Sequence, residues 1–163
     1  MMEHYSVLLQ ECLEGLHIRE DGIYVDATLG RGGHSAEILK RCPKGHLYAF
    51  DRDAQAIAQS LPRLRAAGTQ FTCIHSCFSA MQEKLAEHGV SAVDGILMDL
   101  GVSSPQFDEG ERGFSYRFDA PLNMRMDQGQ RLSAWHVINE YPFEDLCRIL
   151  KRYGEEPFAK FKK

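Results

Sequence analysis

The stretch IYVDATLGRGGHSAEIL (Ile23–Leu39) decides the fold. Ile23 to Thr28 is apolar enough for a buried strand and ends on an acid and a hydroxyl. Gly30, Gly32 and Gly33 follow within four positions and permit positive φ angles and close approach to backbone. From His34 to Cys42 the pattern turns helical. The unit is therefore strand, glycine-rich turn, helix, with the free N–H groups of the helix facing the turn. The spacing fits neither a Walker loop, since no Gly-Lys-Ser/Thr follows, nor the GxGxxG of dinucleotide binders.

The same alternation continues outward. Leu47–Phe50 reads as a second strand, and Asp53 is placed to cap a helix through Ile57, Ala58, Leu61 and Leu64. Pro62 puts that helix's last turn in question. Phe71–Ile74 reads as a third strand. Ser79 and Gln82 form a capping-box pattern before a helix that stops near Gly89. Val93–Met98 is a fourth strand, almost wholly apolar, and a helix from Ser6 to about Leu16 opens the chain. Short apolar strands separated by helices predict a parallel sheet covered on both faces. The expected class is α/β, a doubly wound, Rossmann-like domain.

After Asp99 the alternation stops. Residues 100–131 hold glycines at 101, 110, 113 and 129, prolines at 105 and 121, and many charges, with no regular period. Loops of that length in a compact domain are usually functional or disordered. Two short helices are expected at Ser133–Glu140 and Phe143–Tyr153. The reading divides the chain into a core at 1–131, including the long substrate-side loop at 100–131, and the start of a helical segment at 132–163.

Composition narrows the class. With 163 residues, 44% hydrophobic and 26% charged, the chain has the balance of a globular domain and not of a disordered or low-complexity one. No apolar run approaches the ~18 residues of a membrane span. The start lacks the basic and apolar regions of a signal peptide, so a cytoplasmic location is expected. The five cysteines form no CxxC pair and read as ordinary thiols, and no metal site is expected. The net charge of −4 sits in the first hundred residues, with 9 basic and 13 acidic side chains, while the remainder carries 10 of each. Any basic patch for nucleic acid is therefore local, and belongs in the second half.

In open α/β sheets, ligands bind at the carboxyl ends of the strands. Each strand here is followed by a suitable feature. Asp51, after the second strand, is positioned to accept hydrogen bonds from both ribose hydroxyls of an adenosine group. Phe78 follows the third strand and can lie against an adenine ring. Asp99, Ser103, Ser104, Pro105 and Gln106 follow the fourth and form a candidate catalytic loop. Together these features suit S-adenosylmethionine, which has no phosphate, better than a dinucleotide.

The motifs DATLGRGGHS (Asp26–Ser35), FDRDAQAI (Phe50–Ile57), DGILMDLGVSSPQFD (Asp94–Asp108), RGFSYRFDAPLNMRMD (Arg112–Asp127) and YGEEPFAK (Tyr153–Lys160) closely resemble the bacterial small-subunit ribosomal RNA cytosine-N4-methyltransferase family, called RsmH or MraW. The resemblance implies a class I methyltransferase fold and methyl transfer from S-adenosylmethionine to N4 of a decoding-region cytosine. It places Gly32, Gly33, His34, Asp51, Phe78, Asp99 and Gln106 on cofactor-contacting positions. Asp99, Ser103 and Ser104 are expected to act in catalysis. Ala120 and Asn123 stand where the family has Gly and Asp, and Phe107 where it usually has Leu. Family chains are about twice as long, so the resemblance is to the N-terminal half, cut after about four strands. The alternative is an inactive remnant that keeps the cofactor pocket or binds no ligand. Implied partners are small-subunit ribosomal RNA or the assembled small subunit. Read from the residues alone, Phe107, Phe114 and Tyr116 either stack on an unstacked base or pack one-sidedly on the core, and Arg112, Arg117, Arg125 and Arg131 either contact phosphates or are solvated loop charge. An open edge beside the fourth strand suggests a homodimer.

Overall fold

The computed structural model describes residues 6–159. Lys160, the last residue of the YGEEPFAK motif, and the three residues after it lie outside the described residues. The chain divides after Gly101 into two compact units.

The first unit holds a four-stranded sheet in the order β3-β2-β1-β4, with β1 Ile23–Asp26, β2 His46–Asp51, β3 Phe71–His75 and β4 Gly95–Leu97. Every pairing is parallel, with Tyr24 opposite Leu47 and Gly95, and Ala49 opposite Cys73. All four carboxyl ends therefore emerge on one side. The α/β parallel class expected from the sequence is the one observed, and the order matches the first half of a doubly wound sheet.

The pleat explains the burial on both faces. Tyr24, Leu47 and Ala49 point to one side, where they join Leu13, Ile38, Leu39, Leu64 and Leu97. Val25, Tyr48 and Phe50 point to the other, where they meet Ile74, Met81 and Leu85. The first layer is supplied by α1 (Leu9–Gly15), α2 (Gly33–Arg41) and α3 (Ala54–Ala67), the second by α4 (Met81–Glu87). Each fully buried Leu, Ile or Phe contributes roughly 1.5–3 kcal/mol, so these two layers dominate stability.

Two local expectations for this unit are corrected. The helix α1 begins at Leu9 and not at Ser6, because Leu8 takes a left-handed φ of 48° and breaks the helical path. The Ser79/Gln82 capping box does not form. Phe78–Ala80 closes a 3₁₀ turn, which makes Ala80 the residue before α4 and takes Ser79 out of the cap position. Asp53, in contrast, caps α3 as expected, its Oδ1 accepting the N–H of Gln55 at 3.0 Å. α3 runs unbroken through Pro62 to Ala67.

The second unit holds α5 (Ser104–Asp108), a 3₁₀ turn at Gly110–Arg112, α6 (Ala134–Glu140) and α7 (Phe143–Tyr153). The loop from 100 to 131 was expected to lack regular structure. It contains α5 because Ser103 and Gln106 form a capping box with Pro105 in the first turn. Among the described residues no helix is long and apolar enough to cross a membrane.

Candidate cofactor site

At the carboxyl end of β1 the chain turns through Thr28–Gly32. Gly30 and Gly32 have φ values of 51° and 71°, a region that costs a residue with a Cβ. Gly32 is also crowded, since an added Cβ would stand 3.1 Å from the Ser60 Cβ and 3.3 Å from a Leu64 methyl. Its bareness lets α3 pack against the turn. Gly33 starts α2, and the space a Cβ would take there is filled by the Ser6 hydroxyl. Two of these glycines thus serve the protein's own packing.

Asp51 ends β2 and spans two loops. Its Oδ2 accepts the Gly30 N–H at 2.8 Å and its Oδ1 accepts the Asp53 N–H at 2.8 Å. Each carboxylate oxygen keeps a further lone pair, and the side chain is only half-buried. The carboxylate is therefore fixed in place and still able to accept from a ligand.

Asp26, at the end of β1, is the acid that the sequence shows but does not interpret. It is 1% exposed, and its Oδ2 accepts the Ser35 hydroxyl at 2.7 Å while Oδ1 accepts the Thr28 N–H at 3.1 Å. Burial pushes its carboxyl above the ordinary range. The Ser35 and Thr28 hydrogen bonds pull the other way, as does the nearby His34, while Asp51 adds to the rise. The signal available in the sequence was Ser35 nine positions after a strand-ending acid, which places the hydroxyl on α2 over the strand end.

His34 lies in the first turn of α2 and is buried, with its Nε2 3.0 Å from the carbonyl oxygen of Val7. Phe78 sits in the 3₁₀ turn after β3 and is 38% exposed. Beside it, hydrogen bonds from the Ser79 side chain and backbone lower the Cys77 thiol, with Arg52 adding a smaller pull. Asp99 follows β4. Its backbone N–H donates to Thr28 Oγ1 at 2.8 Å, which ties the ends of β4 and β1 together, and its carboxylate is exposed.

Gly32, Gly33, His34, Asp51, Phe78 and Asp99 thus all stand at the carboxyl end of one sheet. Ser103, Ser104 and Gln106 belong to the second unit. There Gln106 is buried and its Oε1 accepts the Ser103 N–H at 3.0 Å, so this glutamine holds the start of α5.

The arginines of that unit separate by environment. Arg112 is 5% exposed, and its Nη2 donates to the carbonyls of Arg125 and Met126 at 3.2 and 3.1 Å. The sequence left phosphate contact or solvated loop charge open for it, and burial makes it an internal tie instead. Arg125 donates through Nε to Asn123 Oδ1 at 2.8 Å and through Nη1 to the Gln130 carbonyl at 2.6 Å. Asn123 in turn donates to Gln128 Oε1 at 3.1 Å. Arg117 pairs with Asp108 at 3.3 Å on the surface, and Arg131 is exposed.

The chain is similar to known proteins over most of its length. It is 59% identical over 160 residues to the ribosomal RNA small subunit methyltransferase H of Exiguobacterium sibiricum, covering 98% of this chain and 51% of that protein. The enzymes of the same name from Limosilactobacillus fermentum and Oceanobacillus iheyensis are 55% and 53% identical. The chain spans about half the length of the curated relatives it matches. Among solved structures, an rRNA methylase from Streptococcus thermophilus overlaps 52% of this chain and 49% of its own, with a TM-score of 0.41 and 25% identity. NSun6 from Pyrococcus horikoshii with SFG overlaps 58% of this chain and 24% of its own, at 0.48 and 18%. The profile of the MraW methylase family matches residues 1–161, and the chain belongs to that family.

Proposed function

We propose that the chain binds S-adenosylmethionine at the carboxyl end of its sheet and serves methylation of N4 of a cytosine in the decoding region of small-subunit ribosomal RNA. The observation that carries this reading is the Asp51 carboxylate, fixed by Gly30 and Asp53 beside the first turn of α2 and keeping lone pairs to spare. Two hydroxyls on adjacent ribose carbons match two carboxylate oxygens that can each accept once more. The exposed Phe78 ring offers a face for a purine. No phosphate cradle is needed for a cofactor without phosphate. The relatives' shared name supports ribosomal RNA of the small subunit as the substrate class. That substrate places the reading in the cytoplasm.

When bound, the cofactor supplies an electrophilic methyl group on a sulfonium, whose departure as a neutral thioether needs no acid. The nucleophile is the difficult partner. The N4 lone pair of cytosine is delocalised into the ring, so the nitrogen must pyramidalise before it attacks. Acceptors that hold its N–H groups favour that shape and align it. In this reading Asp99 is such an acceptor: its backbone is fixed by Thr28 while its carboxylate stays exposed. Ser103 and Ser104, whose hydroxyls can accept, are the other catalytic candidates from the sequence, and Gln106 is the other cofactor candidate. A base within folded RNA must first be unstacked.

The test is transfer of labelled methyl from S-adenosylmethionine to small subunits lacking the modification, with the wild-type chain and with Asp99→Ala. The reading expects incorporation at cytosine N4 that Asp99→Ala abolishes. Turnover by Asp99→Ala near that of the wild type would remove Asp99 from the mechanism. Cofactor binding with no transfer would leave the second reading, a cofactor-binding remnant.

The proposed homodimer rests on β4. Among the described residues this strand is paired on one side only, and Ile96 and Met98 are 44% and 46% exposed. A second copy pairing along this edge would cover both. A strictly monomeric species in light scattering at high concentration would refute it.

A further inference from the structure

Ser6 and Val7 cross the first turn of α2. The Ser6 hydroxyl fills the space beside Gly33 where a side chain would start, and the Val7 carbonyl lies 3.0 Å from His34 Nε2. A carbonyl only accepts, so the ring donates there and its neutral form carries the proton on Nε2. The next residue, Leu8, is held in the left-handed region with a φ of 48°. Such backbone persists only where its surroundings over-determine it. Val7 and Leu8 are 57% and 63% exposed, so their own burial does not hold the segment. What holds it is the His34 hydrogen bond, the bare Gly33 and the start of α1.

We propose that Ser6–Leu8 is a strap that forms one wall of the cofactor pocket at the N-terminus of α2, and that His34 is a positioning residue that acts through the Val7 carbonyl. This rests on the cofactor reading given above and deepens it. The His34 ring then contributes to binding through the Val7 carbonyl. The strap accounts for three features together: a buried histidine bonded to a distant carbonyl, a glycine at the start of α2 that needs no positive φ, and a leucine that accepts one.

Two substitutions separate this role from a direct one. His34→Gln keeps a side-chain N–H near the place of Nε2 and puts nothing at Nδ1. His34→Leu keeps the bulk and removes the donor. S-adenosylhomocysteine affinity is measured by calorimetry, and amide exchange at residues 7–9 is followed in the ligand-free chain. Urea midpoints show that each variant is folded. Affinity should fall about three- to tenfold in His34→Leu, the net worth of one hydrogen bond, and stay within about twofold in His34→Gln. Exchange at residues 7–9 should quicken in His34→Leu only. In a chain lacking residues 1–7, His34→Leu should cost nothing more, because the two changes act on one contact.

The proposal is overturned if His34→Gln loses as much affinity as His34→Leu. It is also overturned if His34→Leu frees the amides but leaves affinity unchanged, or if its loss persists in the shortened chain. A wild-type chain that binds no S-adenosylhomocysteine would overturn the cofactor reading and the pocket role with it. Binding that survives His34→Leu undiminished would overturn the strap alone.

Discussion

Asp51 Oδ2 accepts the backbone N–H of Gly30 at 2.8 Å, across 21 residues of chain. The acid that suits a ribose is thus also the rivet between the turn after β1 and the turn after β2. Binding and local order are therefore coupled at this one carboxylate.

The first prediction follows from that coupling. Asp51→Asn keeps one acceptor and presents an N–H₂ where Gly30 or Asp53 now donates. One backbone donor loses its partner, at a cost of about 1–3 kcal/mol. S-adenosylhomocysteine affinity should fall at least about tenfold, as one charged acceptor for the ribose is also lost. Calorimetry checks the affinity, and a urea midpoint checks the stability.

Asp26 predicts a pH dependence. Its carboxyl is raised above the ordinary 3.8 by burial, so the folded protein holds the proton more tightly than the unfolded chain. Asp26 therefore contributes stability that is fully present below 3.8 and is lost as the pH climbs through its raised folded value. Asp26→Asn removes that dependence. Urea midpoints at a series of pH values should show the wild type's advantage over Asp26→Asn shrinking as pH rises. A gap that widens with pH would contradict the assignment.

Arg112 predicts a loss confined to the second unit. Arg112→Met leaves the Arg125 and Met126 carbonyls without this donor, and should cost about 2–4 kcal/mol. Amide exchange should quicken across residues 109–131 and not in the sheet. A phosphate-contacting arginine would behave otherwise: its loss would spare stability and flatten the salt dependence of RNA binding.

Pro62 predicts a gain. It sits inside α3, is exposed, and leaves the helix without one i→i−4 hydrogen bond. Pro62→Ala should stabilise the chain by about 1–2 kcal/mol, since the helix penalty removed exceeds the unfolded-state entropy regained. The urea midpoint is the measurement, and a lower one would show that the ring packs usefully.

The sheet was legible because its information is local and periodic. Leu47–Phe50 and Phe71–Ile74 are apolar runs bounded by turn residues, and the polar features that follow them stand at the carboxyl end of the sheet because every pairing is parallel. Asp53 was legible as a cap because a cap bonds two residues away. The Ser79/Gln82 pattern misled because a 3₁₀ turn competes for the same residues, and the Ser103/Gln106 pattern was hidden among glycines and prolines. The internal roles of Arg112 and His34 could not be read. Their partners are carbonyls 13 to 27 residues away, and a carbonyl carries no residue identity.

The order β3-β2-β1-β4 also sets a sequence of events in time. β1, β2 and β3 pair with their neighbours along the chain, whereas β4 must return across them so that Gly95 meets Tyr24. That closure spans a long loop, whose entropy must be lost before any contact rewards it. Hydrogen bonds between β4 and β1 should thus form last in refolding and open first in unfolding. Thr28 and Asp99, which join the two ends, would then order only when folding is nearly complete.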